Sequence, residues 1–279
     1  MSIRNHLTIQ LLGPVTLLRG GASVAVRGQR QRRFLASLAL QPGQVISKGA
    51  IIEDSWDGEP PLTVSGQLQT SAWMIRKALS EAGTHRDALG SHDLGYELRV
   101  PPECIDVFVF REAVRTARDL HARGEQKEAA TRLDDALALW KGAALTDVTS
   151  VRLRMKGEAL DRERMAAAEL RALIDVSLGN YGEAIAELTE LVERDPLRED
   201  LYVGLMKAYY GEGRQADAIH VFHRAKEILR EQIGVSPGTR LREVMQAILR
   251  QDELVLSAQG RPTRTAERVP EQMSRQRVG

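Results

Sequence analysis

Apolar residues in the first hundred positions change from a strand-like alternation to a helical spacing and back again. Two short apolar runs flank Gly20-Gly21, a pair typical of a hairpin turn, and a helical period follows until two further short runs close the segment. The predicted strands cover residues 7–12, 15–18 and 23–26 and a closing hairpin around 92–95, and the predicted helices begin near Gln29, after Ser47 and near Thr63. Sheet, helix, helix, loop, helix and hairpin is the order of a winged helix-turn-helix that carries an extra N-terminal sheet.

After residue 104 the apolar spacing is helical throughout, and one short motif occurs three times. It consists of a glycine, three polar or small residues, an acid, an alanine and an apolar residue, and its copies begin at Gly124, Gly179 and Gly213. The last two copies are 34 residues apart, which is the tetratricopeptide period. Helix pairs with this period stack into a curved solenoid whose concave face binds partners. A helical bundle could contain one such motif by chance, but two copies at this spacing favour a repeat.

These patterns predict a mainly α protein with a small β part. We expect a winged helix-turn-helix domain at residues 1–103 and an all-α, tetratricopeptide-like domain of helical repeats at residues 104–257. Residues 258–279 are rich in Arg, Gln and Pro and contain few apolar side chains, so we expect a disordered tail there.

The third predicted helix has one apolar face and one face without acids. A helical wheel places Val64, Ala72, Ile75 and Leu79 on the same stripe as Leu68. The opposite face and its flanks carry Gly66, Gln67, Gln69, Thr70, Ser71, Trp73, Met74, Arg76 and Lys77. No acid occurs between Glu59 and Glu81, whereas an ordinary solvent-exposed helix mixes Glu with Lys. Because Gln can pair with adenine, Arg with guanine, and Thr or Met with the thymine methyl group, this face is predicted to read DNA. A solvent face that lacks acids, or a protein-docking face, is the alternative.

Further basic residues lie where they could contact DNA phosphates while the third helix reads the bases. Residues 19–33 contain five arginines and no acid. Of these, Arg30, Arg32 and Arg33 lie near the start of the first helix, and Lys48 begins the second, where both charge and the helix dipole favour phosphates. His92 lies at the tip of the predicted wing, from which a side chain can reach the adjacent groove. Trp56 could donate its indole N–H to a phosphate or could be an ordinary core residue, and the arginine-rich stretch could also be a solvated loop.

Composition argues against a membrane protein, a secreted protein and a protein that binds polyanions through its net charge. The 39 basic and 38 acidic residues nearly cancel, so net charge alone would not hold the chain to a polyanion. No apolar run is long enough for a membrane span, and the N-terminus lacks a signal-peptide pattern. The single cysteine, Cys104, excludes an internal disulfide framework and a cysteine-based zinc site, and it fits a reducing cytoplasm. We therefore expect a cytoplasmic protein without membrane contact.

The sequence contains no pattern that indicates an enzyme. His220 and His223 are three residues apart on one predicted helix and could share a metal ion, but no third ligand is evident. No Ser-His-Asp or Cys-His signature and no phosphate-binding Gly-x-x-x-x-Gly-Lys-Ser/Thr motif occurs. We expect neither catalytic activity, nor a metal, nor a cofactor.

The two halves together resemble the Streptomyces antibiotic regulatory protein (SARP) family of transcriptional activators. The N-terminal half is similar to the winged helix of response regulators, and the remainder is similar to the bacterial transcriptional activation domain. The N-terminal resemblance rests on residues 11–15, 30–40, 68–79 and 95–98, and the C-terminal one on 138–142, 195–199, 205–210, 213–218 and 234–238. Together the similar segments span about residues 7–256, nearly the whole chain.

The resemblance implies a cytoplasmic, nucleoid-associated activator of an antibiotic or other secondary-metabolite gene cluster. Members bind direct repeats in promoter double-stranded DNA as a side-by-side dimer and contact RNA polymerase holoenzyme, including its sigma factor. By this resemblance Thr70, Ser71, Trp73, Met74 and Arg76 face bases or phosphates, Trp56 contacts a phosphate and His92 belongs to the wing. The family often has other residue types at the positions of Ser71 and Trp73, so the operator is expected to differ.

A second hypothesis is a tetratricopeptide-type adaptor that binds proteins without specific DNA recognition. In that case the solenoid would be the functional surface and the N-terminal fold would only dock. The acid-free face of the third helix argues against the adaptor. A variant of the activator in which a small molecule in the solenoid groove modulates DNA binding also stays open.

Overall fold

The N-terminal part consists of two small sheets and three helices. The computed structural model describes residues 7–56 and 60–252. One antiparallel sheet has the order β1 (Leu7–Gln10), β2 (Thr16–Arg19) and β3 (Ala22–Val24). The helices are α1 (Gln29–Ala39), α2 (Lys48–Trp56) and α3 (Val64–Glu81). A second antiparallel sheet has the order β4 (Val45–Ser47), β6 (Gly95–Leu98) and β5 (Leu89–Ser91). The element order is that of the predicted winged helix-turn-helix, with β4 as an additional strand.

The three helices pack through the apolar faces that the sequence periodicity indicates. Phe34, Leu35 and Leu38 of α1 are fully buried, and Phe34 meets Tyr96 of β6 edge to face, with 5.2 Å between the ring centroids. Ser47 is the N-terminal cap of α2, since its Oγ accepts a hydrogen bond from the backbone N–H of Ala50 at 3.1 Å. Leu68, Ala72, Ile75 and Leu79 of α3 face this core. The second sheet therefore holds the β5–β6 hairpin beside α3.

The C-terminal part is an array of helices. They are α4 (Asp106–Ala122), α5 (Gln126–Leu137), α6 (Val151–Leu178), α7 (Tyr181–Arg194), α8 (Glu199–Gly211), α9 (Gln215–Ile233) and α10 (Thr239–Arg250). The three repeat motifs lie at the turns of α4–α5, α6–α7 and α8–α9, and in each the glycine takes a φ near +80°. This left-handed conformation ends the first helix of each pair, and glycine adopts it without strain. The spacing between the first two motifs exceeds 34 residues because a long loop at 138–150 and the 28-residue helix α6 intervene.

The N-terminal and C-terminal parts share one hydrophobic core, which continues from Leu7 to Ile174. Part of the connection is made by backbone. The 138–150 loop runs along the first sheet, where Lys141 N donates to the carbonyl of Leu12 at 2.7 Å and Leu145 N to that of Leu11 at 3.0 Å. The buried carboxylate of Asp106, at the start of α4, accepts hydrogen bonds from the backbone N–H groups of Leu11 and Leu12 at 2.9 and 3.0 Å. These contacts fix the orientation of the helical array relative to α3.

No helix within residues 7–56 and 60–252 is long and apolar enough to cross a membrane. The predicted tail at 258–279 lies outside the described residues.

Candidate nucleic-acid interface

The exposed face of α3 contains most of the residues that the helical wheel placed there. Gly66, Gln69, Thr70 and Lys77 are exposed. Trp73 is 61% exposed and Met74 41% exposed, so two consecutive large apolar side chains lie on the surface of α3. Gln67 and Arg76 are half-buried at the two edges of this face. The helix thus presents amides, a hydroxyl, an indole and cations, with no carboxylate before Glu81 at its last residue.

The structure contradicts the predicted placement of Ser71. Its side chain is fully buried, and its Oγ donates a hydrogen bond to the carbonyl of Gln67, one turn earlier, at 3.0 Å. Serine at this edge position is small enough to enter the core, and the backbone carbonyl satisfies its hydroxyl group. Ser71 is therefore a core residue and has no surface to present to a duplex.

A shallow groove separates α3 from the β5–β6 hairpin. It has a volume of about 260 Å³, and its walls include Ser65, Gln69, Arg76, Ser91 and His92. Arg76 spans the groove, because its Nε donates to the carbonyl of Leu89 at 3.0 Å and its Nη2 to Ser91 Oγ at 2.6 Å. The guanidinium group thereby holds the hairpin at a fixed distance from the helix. Ser65 and Ser91 are groove residues that sequence reasoning missed, since a lone serine in a strand or first turn has no distinctive signal.

The tip of the hairpin is held by charged side chains. Lys48 at the start of α2 donates through Nζ to the carbonyl of Asp93 at 2.9 Å. His92 lies with its Nε2 2.8 Å from Glu97 Oε2, and Arg99 Nε donates to the same oxygen at 2.8 Å. Hydrogen bonds from Arg99 and His92 lower the pKa of Glu97, so this acid stays ionised and paired. Leu94 at the tip is 78% exposed.

Arg32 and Arg33, which were predicted to face phosphates, are half-buried near the start of α1 and have partners within the protein. Arg32 Nε lies 3.2 Å from Asp147 Oδ2, in the loop before α6. Arg33 donates to the carbonyl of Ser55 and to Thr149 Oγ1. Both arginines therefore connect α1 to the 138–150 loop, and Arg33 also connects it to α2. Their partners are distant along the chain, and no local pattern could have revealed them.

Arg30, near the start of α1, and Trp56, at the end of α2, lie together. Arg30 is exposed, and its guanidinium carbon lies 5.5 Å from the centroid of the Trp56 ring, a cation–π distance. Trp56 is half-buried and packs against the core. The structure thus gives Trp56 a core contact and leaves Arg30 directed outward beside it.

On the other side of α3, Trp73 and Met74 line a hollow of about 280 Å³ with Arg27 and Gln31. Lys77 Nζ lies 5.9 Å from the centroid of the Trp73 ring, and Gln31 Nε2 lies 3.1 Å from Met74 Sδ. Arg27 is exposed, and it joins the cationic face around α3. Its place in the acid-free stretch 19–33 was the only sequence signal for it.

Within the described residues no group of three or more His, Cys, Asp or Glu side chains could hold a metal ion. The surface around α3 presents hydrogen-bond donors, cations and exposed apolar groups on one helix.

Comparisons with known proteins agree with this architecture. Residues 105–249 match the family of bacterial transcriptional activator domains. The chain is 32% identical to the regulatory protein DnrI of Streptomyces peucetius, over 88% of this chain and 93% of that protein. It is 33% identical to the regulatory protein AfsR of Streptomyces griseus over 88% of its own length, but it spans only 25% of AfsR.

A solved structure has the same fold over most of the chain. Mycobacterium tuberculosis EmbR, in complex with a low-affinity phosphopeptide, superposes with a TM-score of 0.85 and 29% identity. The match covers 88% of this chain and 65% of that one. The activator-domain match and the similarity to DnrI along nearly its full length show that the chain belongs to the Streptomyces antibiotic regulatory protein family of transcriptional regulators.

Proposed function

We propose that the protein is a sequence-specific, DNA-binding activator of an antibiotic or other secondary-metabolite gene cluster. The observation that carries the proposal is the exposed face of α3, which has no acid from Val64 to Ser80 and lies beside a hairpin wing. An α-helix of this kind fits the major groove, where Gln69, Thr70 and Arg76 would contact bases. Lys48, Arg30 and Lys77 would contact phosphates.

The helical array supplies the second half of the proposed activity. We propose that residues 104–257 contact RNA polymerase holoenzyme and hold two copies of the chain side by side on promoter direct repeats. The match of residues 105–249 to the bacterial transcriptional activator domain supports an activating role for this array. Because its proposed ligand is the chromosome, we place the protein at the nucleoid.

The test has two steps. DNase footprinting of the full chain upstream of adjacent genes, with and without polymerase, identifies an operator, and a gel-shift titration then measures affinity at several salt concentrations. We expect protection of two repeats about one or two helical turns apart and an affinity that falls steeply with salt. Protein binding to polymerase without any footprint would instead favour the adaptor hypothesis and would overturn the proposal.

A further inference from the structure

A second groove lies away from α3, between α4 and α6. It has a volume of about 700 Å³, and its charged residues are Arg111, Arg115, Arg118, Arg162, Asp119 and Glu163. These helices are the first members of two successive helix pairs. Among these lining residues the four arginines outnumber the two carboxylates.

The sequences of the two helices create this groove. On α4, Phe110 and Val114 are one turn apart and almost fully buried, so they form an apolar floor. On α6, the residues that face the groove follow a single helical stripe, which begins at Ala159 and ends at Ala166. Because these two side chains are methyl groups, they leave space between the helices that larger residues would fill.

Two of the four arginines are already neutralised. Arg111 joins the two helices through a bidentate pair with Glu163, with Nε–Oε2 and Nη2–Oε1 distances of 2.8 and 2.7 Å. Arg115 pairs with Glu112 on its own helix. The Arg111–Glu163 pair fixes the width of the groove without adding net charge.

The other two arginines are available to a ligand. Arg118 on α4 and Arg162 on α6 are exposed, and neither has an acidic partner in the described part of the chain. They lie on opposite walls of the groove. A ligand between them would meet two cations at its sides and a small apolar surface below.

We propose that this groove binds an acidic peptide segment of RNA polymerase holoenzyme, with carboxylates on Arg118 and Arg162 and a small apolar side chain on the floor. Charge complementarity with the two available arginines favours an acidic ligand. The half-buried methyl groups of Ala159 and Ala166, above Phe110 and Val114, give the floor an accessible apolar surface. This surface favours a peptide over a sugar-phosphate backbone, which has no apolar side chain to place there. The inference rests on the proposed function, and it names the partner surface within it.

A double charge reversal tests the groove. The full chain with Arg118→Glu and Arg162→Glu is compared with the wild type for affinity to fluorescently labelled, purified holoenzyme and, separately, for affinity to the operator duplex. We expect holoenzyme affinity to fall about tenfold or more, because like charges would then face each other, and operator affinity to stay the same. The neutral pair Arg118→Gln and Arg162→Gln should lose less affinity in the same direction, and it provides a second test should the reversed pair fold poorly.

The matched control is Arg224→Glu with Lys226→Glu, which makes the same change of charge at exposed positions of α9. An equal loss of holoenzyme affinity in this control, or no loss in the groove variants, would overturn the proposal. A loss of operator affinity in the groove variants would show that DNA occupies the groove instead. Should the wild type itself bind neither operator nor holoenzyme, the proposed function fails, and this outcome differs from failure of the groove alone.

Discussion

Arg76 lies between α3 and the β5–β6 hairpin, and its side chain can both hold the hairpin and contact DNA. It donates to Leu89 and Ser91 of the wing, and only part of its guanidinium group is left for a base or phosphate. Single residues of the interface therefore act on DNA directly or through the position of the wing. Substitutions can separate these two routes.

Replacing Arg76 by alanine should weaken operator binding by about 1–3 kcal/mol, the range for loss of a good base contact. The measurement is a gel-shift titration at fixed salt. Ser91→Ala is the matched control, since it removes one wing hydrogen bond and keeps the arginine. If the control weakens binding as much as Arg76→Ala, the arginine positions the wing and does not read DNA. Unchanged affinity of Arg76→Ala would remove the residue from the interface.

The neighbours Thr70 and Ser71 should behave differently despite their similar chemistry. Thr70 is exposed on α3, whereas Ser71 is fully buried. Thr70→Ala should lower operator affinity by about 1 kcal/mol through loss of its methyl and hydroxyl contacts, and Ser71→Ala should leave it unchanged. Both variants are measured by fluorescence anisotropy with the same duplex. A loss of affinity in Ser71→Ala alone would contradict the placement of these two residues.

At the scale of elements, the sequence predicted those helices and turns whose conformation depends on residues close to one another in the chain. The stripe from Val64 to Leu79 and the Gly20-Gly21 turn are visible in sequence because neighbouring residues decide them. β4 was missed, because Val45–Ser47 is only three residues long and becomes a strand by pairing with β6, some fifty residues later. The partners of Arg32 and Arg33 were missed for the same reason. The placement of Ser71 was wrong because a helical wheel gives the direction of a side chain around the helix axis but not its burial, and a small side chain at the edge of a face can be fully buried.

Replacing Gly66 in the first turn of α3 is expected to have opposite effects on stability and on DNA affinity. An added Cβ there would meet nothing within 4 Å, so Gly66→Ala should stabilise the helix by about 0.5–1 kcal/mol. On the proposed DNA-facing side the same methyl group would hinder close approach to a phosphate, so operator affinity should fall. Chemical denaturation and gel shift measure the two effects.

The control for Gly66→Ala is Gly182→Ala at the start of α7, which is equally open and lies in the helical array. It should not change operator affinity. If Gly66→Ala stabilises the chain without loss of affinity, the start of α3 does not approach the backbone closely.

At the scale of the whole molecule, a buried carboxylate lies at the junction of the two parts. Burial raises the pKa of Asp106 from 3.8 to about 6, although hydrogen bonds from Leu12 and Leu11 act in the opposite direction. Between these two values the folded chain binds more protons at this site than the unfolded chain. Stability from this group is therefore present at low pH and is lost as pH rises toward 6.

Comparison with Asp106→Asn isolates this contribution, because asparagine does not titrate. From about pH 4 to about pH 7.5 the wild type should lose about 2 kcal/mol of unfolding free energy relative to the variant. Urea denaturation at several pH values measures the difference. A difference that stays constant with pH would show that Asp106 titrates alike in the folded and unfolded chains.

The loop at 138–150 gives the molecule a property that neither part has alone. Since it joins the first sheet to the helical array through backbone hydrogen bonds and a common core, the array cannot swivel about α3. A bound protein would then present its groove arginines at one fixed angle around the duplex. Inserting about 5 base pairs between operator and promoter would place the bound protein on the opposite side of the duplex and should abolish activation. Inserting about 10 base pairs would return it to the same side and should restore part of the activation. Activation would therefore depend on the rotational position of the operator relative to the promoter. A reporter assay with spacers of graded length would measure this dependence.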